Sequence, residues 1–270
     1  MLTLGIAFFI VMIVAVGFAA PVPGALLYLD ARDNPAHPAA WANLGAAGGE
    51  LPPMHTAPEL EEGPIKIPDL RIKEPKIQYY TARKSGHMFG TKSLDPPLYL
   101  EDWTLEFLLR RNGNLFEEDH QLAGVNTLPE GRQGLRFMVG ADDKLQVGVY
   151  HRGVDTTLLT NLMFEKGIWM WVAIVAEDKK SICVYQNGVK INQFPGIDWQ
   201  GDIALRAITI GSMSPNQRRR NFNGSFSLVR IYDKSLNEGE IMQNIDFWSG
   251  LSVDPASKLA TTWAVLKTRK

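Results

Sequence analysis

The sequence predicts an all-β protein, an antiparallel two-sheet sandwich closed by one short helix near the C-terminal end. Three observations carry this. Short runs with apolar residues at every second position recur along the chain, as in Trp103, Leu105, Phe107 and Leu109, which is the period of a strand with one face in a core. Turn residues separate these runs, foremost Asn187-Gly188, a pair suited to the positive torsions of a two-residue hairpin turn. Finally, the stretch 221–247, NFNGSFSLVRIYDKSLNEGEIMQNIDF, reads as a buried strand, a turn and a capped helix.

With 270 residues and a formal net charge of -1, the chain is long enough for one large core and too short for two. We divide it into 1–19, a signal peptide or an uncleaved anchor, a sandwich over 20–250 and a tail over 251–270. Residues 2–20 are nearly all apolar, and Gly17 and Ala19 place small residues where a signal peptidase reads them, which predicts export. No Lys or Arg precedes the run, and it is about long enough to span a bilayer, so retention as an anchor is the competing expectation. The near-neutral charge balance argues against a nucleic-acid interface built on phosphate neutralisation. Arg218, Arg219 and Arg220 form the one basic run and read as a solvated loop. The single Cys183 rules out an intrachain disulfide and reads as a small core residue.

In chain order, 25–31 reads as a first strand, followed by a polar, Pro-marked segment and then Trp41, a core or edge aromatic with sugar stacking as the alternative. Residues 49–75 are rich in Pro and Glu and predict a surface excursion with at most short strands at 65–67 and 70–72, covering rather than building the core. Strands follow at 77–81 and 102–110. Leu135, Phe137 and Val139 alternate against Leu145, Val147 and Val149 as a hairpin, and 167–175, 181–191 and 207–211 supply further strands. In the last strand Phe222, Phe226, Leu228, Val229 and Ile231 supply the apolar content with the register left open. Ser235 or Asn237 caps the helix, Glu238 and Glu240 suit its positive end, and Ile241, Ile245 and Trp248 form its apolar stripe.

Phe222, Gly224, Val229, Arg230, Ile231, Tyr232, Leu236, Glu240 and Ile241 resemble the terminal pattern F-x-G-x-I-D-E-V-R-I-Y…L-S-x-x-E-I of laminin-G-like domains of the concanavalin A-like lectin/glucanase superfamily, in its exported bacterial type. Asp30, Ala31, Trp41, Asn43 and Gly45 resemble its opening segment, and 102–108 its D-F-T-I-E-F-W strand. Trp169 to Gly188 resembles its W-x-H-V-A…L-Y-V-D-G-K hairpins, with Trp171 in place of His and Asn187 in place of Asp. The resemblance spans roughly 26–246 and implies a jelly-roll. Ser227 and Leu228 replace the family's Asp-Glu pair, so any support those acids give a metal does not carry over.

No strand carries the E-x-D-x-x-E spacing of a glycosidase, and no H-E-x-x-H or G-x-S-x-G occurs, so no enzyme is expected. The acidic run 117–119 with His120 reads as a solvated loop. No cofactor is expected; calcium is the one candidate metal, on Asp30 and Asp33, although turn chemistry alone places acids there. The expected function is an exported, non-catalytic recognition domain that binds a glycan or an extracellular protein through loops and one concave sheet face, with no nucleic-acid partner and membrane contact only if 2–20 is retained. The alternatives are a membrane-anchored structural or adhesive surface protein and a glycoside hydrolase. Sugar sites use aromatics and amides, which makes Tyr79, Tyr80, Tyr150, His151, Trp199 and Asn216 the candidate ligand residues.

Overall fold

The computed structural model describes residues 20–34, 37, 39–70, 72–83, 89–91, 98–113, 120–127, 133–151, 154–197, 203–205, 207–212 and 222–250. The signal or anchor segment, the tail, Trp199, Asn216, the basic run 218–220 and the acidic run 117–119 lie outside them. The strands are β1 (Ala25–Asp30), β2 (Trp41–Ala42), β3 (Glu50–Leu51), β4 (Glu59–Ile67), β5 (Ile72–Ala82), β6 (Phe89–Thr91), β7 (Leu98–Leu100), β8 (Trp103–Arg111) and β9 (His120–Thr127). They continue as β10 (Gln133–Val139), β11 (Lys144–His151), β12 (Val154–Met163), β13 (Trp169–Glu177), β14 (Ser181–Gln186), β15 (Val189–Pro195), β16 (Ile203–Leu205), β17 (Ala207–Ile210) and β18 (Gly224–Tyr232), before helix α1 (Glu238–Trp248).

Two large antiparallel sheets pack face to face. One has eight strands in the order β15-β14-β13-β8-β18-β5-β4, with β1 also pairing β18; the other has six, in the order β12-β11-β10-β9-β17-β6. The core between them takes alternate residues from each strand: Trp103, Leu105, Phe107 and Leu109 from β8, Leu135, Phe137 and Val139 from β10, and Leu145, Val147 and Val149 from β11. This is the alternation read in the sequence, and it leaves the intervening residues on the outer faces.

One expectation needs correction, and one register left open by the sequence is fixed by the structure. The segment 49–75 builds structure: β4 and β5 form a long hairpin, and Ile65, Ile67 and Ile72 are buried. Its prolines masked it, yet the ladder tolerates them because its register shifts between Gly63 and Ile65, beside Pro64, and β4 is an edge strand. In β18, Phe226 and Leu228 pair with consecutive residues, Leu109 and Leu108, so Ser227 is an extra residue in a bulge. The bulge reverses the alternation. Phe226, Val229 and Ile231 enter the core between the sheets, whereas Leu228 and Tyr232 face the opposite side of the eight-stranded sheet.

That opposite side is covered. Helix α1 begins with a capping box, in which the Asn237 side chain accepts from the Glu240 N–H at 3.0 Å and Glu240 accepts from the Asn237 N–H at 3.0 Å. Its stripe of Ile241, Ile245 and Trp248 packs on Leu108, Trp171, Leu228 and Tyr232, together with Val22 and the isoleucines of the β4–β5 hairpin. The protein is therefore three layers thick on this side, and the outer face of the six-stranded sheet carries no such cover from α1.

The Asn187-Gly188 turn joins β14 to β15 with φ of 52° and 84°, as the sequence predicts. Asn187 also reaches outward: its Oδ1 accepts from the Trp171 N–H at 2.9 Å and its Nδ2 donates to Asp69 at 3.0 Å.

Candidate binding face of the six-stranded sheet

The residues between the core positions of β10, β11 and β12 project from the outer face of the six-stranded sheet. Arg136 and Met138 leave β10, Gln146, Gly148 and Tyr150 leave β11, and Asp155, Thr157 and Leu159 leave β12. Their registers align a row across five strands and onto a sixth: Thr157 opposes Gly148, Gly148 opposes Arg136, Arg136 opposes Gly124, Gly124 opposes Thr209, and Thr209 opposes Gly90. Three of the six positions are glycine, but Thr209 and Gly90 at the far end are buried, so the exposed part of the row is that of β10 to β12.

Gly148 sets the local geometry. A Cβ there would fall 3.0 Å from Arg136 Nε and 3.2 Å from its Cβ, because the arginine lies across this strand. The guanidinium passes over β11 and donates to the Asp155 carboxylate on β12, where the arginine side chain is 23% and the aspartate 44% exposed. Arg136 Nε is buried with no hydrogen-bond partner among the described residues. Tyr150, half-buried, pairs with Asp155 across the ladder, and exposed Thr157 and Leu159 complete the patch; Gln146, four residues from Tyr150 along β11, places its amide against Gly140 instead. A planar guanidinium–carboxylate pair beside a hydroxyl and a ring offers paired donors and acceptors with an apolar platform, and the pair is neutral overall.

The sequence-predicted residues are placed as follows. Tyr150 stands on this face. His151 follows it at the end of β11, paired with Val154. Tyr79 and Tyr80 belong to β5 in the other sheet and are 5% and 1% exposed. Arg110 lies 5.1 Å over the Tyr79 ring and 5.0 Å over Trp169, closing that stack. The Tyr80 ring packs on Trp41 and Phe89, and its hydroxyl accepts from Asn34. Both tyrosines are structural. Trp41 is also buried in the core.

Asp30 is 1% exposed and caps the turn Ala31–Asp33. Both of its oxygens accept from the Arg32 guanidinium, at 2.9 Å and 3.1 Å from Nε and 2.5 Å from Nη2, while Arg32 Nη1 donates to the Trp248 carbonyl at 2.8 Å. Calcium at Asp30 would have to displace an arginine that also ties down the end of α1. Asp33 is exposed, and Asn34 and Asn43 are engaged with backbone groups. Among the described residues no three acids, histidines or cysteines lie together as a metal ligand set.

One polar cluster was not legible as a cluster in the sequence, although Arg230 and Tyr232 matched the family pattern. Glu106 of β8 and Arg230 of β18 lie fully buried beneath α1 with Nη1 3.7 Å from Oε2. Trp171 Nε1 and Asn244 Nδ2 donate to Glu106 at 3.2 Å and 2.8 Å, and Asn244 Nδ2 also reaches the Tyr232 hydroxyl at 3.1 Å. Arg230 makes no geometrically sound hydrogen bond among the described residues and is held instead by Glu106 and by the faces of Tyr28 and Trp171, 4.4 Å and 5.8 Å from the ring centroids. Burial pushes the Glu106 carboxyl up to about 6 against the pull of Arg230, and burial likewise raises the Tyr232 phenol, with Glu106 adding to it. The cluster is sealed from solvent and anchors the helix.

A laminin-G family model, described as the concanavalin A-like lectin/glucanases superfamily, matches residues 91–242. Among solved structures, the chain is similar to the botulinum neurotoxin serotype D ligand binding domain in complex with N-acetylneuraminic acid, at 13% identity and a TM-score of 0.56, over 83% of this chain and 50% of that one. The botulinum neurotoxin serotype G binding domain matches at 11% identity and 0.58, over 83% and 50%. The binding domain of Paraclostridial Mosquitocidal Protein 1 matches at 16% and 0.54, over 83% and 52%. The chain thus spans about half the length of these structures, and at such identities the likeness is one of fold. No curated protein is significantly similar to the sequence. The family match, the two antiparallel sheets and the late docked helix agree, and the chain belongs to the concanavalin A-like lectin/glucanase superfamily in its laminin-G form.

Proposed function

We propose that the protein is a non-catalytic recognition domain that binds a glycan on the outer face of the six-stranded sheet, presented outside the cell by the segment 2–20 as a signal or an anchor. The observation that carries this is the Arg136–Asp155 pair laid over Gly148 beside Tyr150 and Thr157. Adjacent sugar hydroxyls need a donor and an acceptor side by side, and the pair supplies both in a fixed plane. The ring of Tyr150 supplies the apolar surface on which a pyranose can rest. That one structural neighbour is a ligand binding domain in complex with a sugar supports the reading, as does the lectin-like family.

A glycan array on the full chain, followed by variants, is the test. We expect selective glycan signals that Arg136→Gln and Asp155→Asn each reduce by about tenfold or more, the loss of roughly one charge-assisted hydrogen bond, with melting temperatures changed little because both side chains are partly exposed. Signals that survive both changes, or released reducing sugar, would overturn the proposal.

A further inference from the structure

A second depression lies away from this face. Asp69, in the turn at the tip of the β4–β5 hairpin, and Asn187, in the β14–β15 turn, form a saddle between two cavities, and Gln186 lines both. One cavity, of about 440 Å³, is bounded by Leu70, Val189, Glu238 and Met242, so α1 forms one of its walls. The other, of about 180 Å³, is bounded by Met163, Glu165 and Ile168. Apolar side chains stand exposed along the groove, with Val189 at 61%, Met163 at 50% and Ile168 at 41%. Among the described residues the ionisable groups lining it, Asp69, Glu165 and Glu238, are exposed acids. Lys190, next to Val189, is turned over the Tyr185 ring instead.

A groove whose described lining is apolar and acidic fits an extended segment that is apolar and basic. The chain has one. The segment 251–270 carries Lys258, Lys267, Arg269 and Lys270 against Asp254 alone, with Trp263, Val265 and Leu266 among them. It begins directly after Gly250, just past the C-terminal end of α1. Helix α1 has 11 residues and so is about 16 Å long, whereas a segment of this length can extend over about 60 Å. It can fold back along the helix to the cavity at its first turn. Tethering also raises its effective concentration into the millimolar range, so a weak contact suffices.

We propose that the C-terminal segment 251–270 docks in this groove within its own chain, with Trp263 and its neighbours against Val189 and Met242 and its basic residues against Asp69, Glu165 and Glu238. Amide hydrogen exchange on the full chain tests this. Exchange over 258–268 is expected to be at least about tenfold slower than for an unprotected segment, equally at low and high protein concentration. The double variant Asp69→Lys/Glu238→Lys should lose that protection. Lys267→Glu/Lys270→Glu should lose it too, and combining the two pairs should restore it. Unchanged exchange in β13 would show that the variants stay folded. Absence of protection, protection indifferent to the charge exchanges, or protection that vanishes on dilution, as for a second copy supplying the segment, would each overturn the proposal.

Discussion

Arg230→Met is expected to destabilise the fold by about 3–5 kcal/mol at pH 8, because it leaves Glu106 ionised and fully buried without its counter-charge. The effect has a pH signature that a packing loss would not have. The folded value of Glu106, about 6, lies above its ordinary 4.5, so the folded protein holds this proton more tightly than the unfolded chain does. The stability this group contributes is fully present below pH 4.5 and is lost as pH rises through about 6, a change of about 2 kcal/mol. Removing Arg230 removes the main influence opposing the upward shift, so in the variant the loss continues to higher pH. The gap between the two proteins should therefore be small at pH 5 and wide at pH 8. Urea unfolding at both values measures it. Adding Glu106→Gln to the variant should remove the widening, since no carboxylate remains to titrate, and an unaltered gap across the range would show that the buried pair has been misjudged.

Gly188→Val is expected to be the other severe substitution, at about 3 kcal/mol or more. The position has φ of +84°, and a Cβ would fall 2.2 Å from Met242 Sδ, so strain in the turn is joined by displacement of the Met242 side chain from its place against the strands. Asn187→Ala should cost somewhat less, about 2–3 kcal/mol, mostly because the buried Trp171 N–H loses its acceptor. Asn187→Gly separates the two causes, since it tolerates the φ of 52° yet still orphans that N–H. Thermal melts should rank valine at 188 worst and find both changes at 187 destabilising; a neutral Asn187→Gly would assign the asparagine's value to its backbone torsion alone.

The sequence showed the strands with clean alternation, the turn at Asn187 and the capped helix, since each is a local pattern. It was silent or misleading where a pattern is interrupted. Ser227, as one inserted residue, reverses which side chains of β18 enter the core, and no count of apolar residues reveals it. Pro64 and Pro75 disguised a hairpin whose shifted register and free edge accommodate them. Tyr150 was legible as a site candidate because it is aromatic and next to a turn. Arg136 and Asp155 were not, because their meeting depends on cross-strand registers and on Gly148 lying between them. The one available signal was that glycine, an isolated Gly inside an alternating strand, which marks close approach of another group. Tyr79 and Tyr80 failed as surface residues for the reason the hairpin was missed. Once β5 is an interior strand of the eight-stranded sheet, both rings have somewhere to be buried.

The most direct measurement is a footprint of the bound glycan. With the strongest array ligand present at saturation, amide exchange should slow in β10, β11 and the first half of β12, around Arg136, Gly148, Tyr150 and Asp155, and stay unchanged in α1 and at the Asn187 turn. Slowing confined to α1, β5 or the Asn187 turn, with β10 to β12 unaffected, would contradict the assignment of the six-stranded sheet as the binding face.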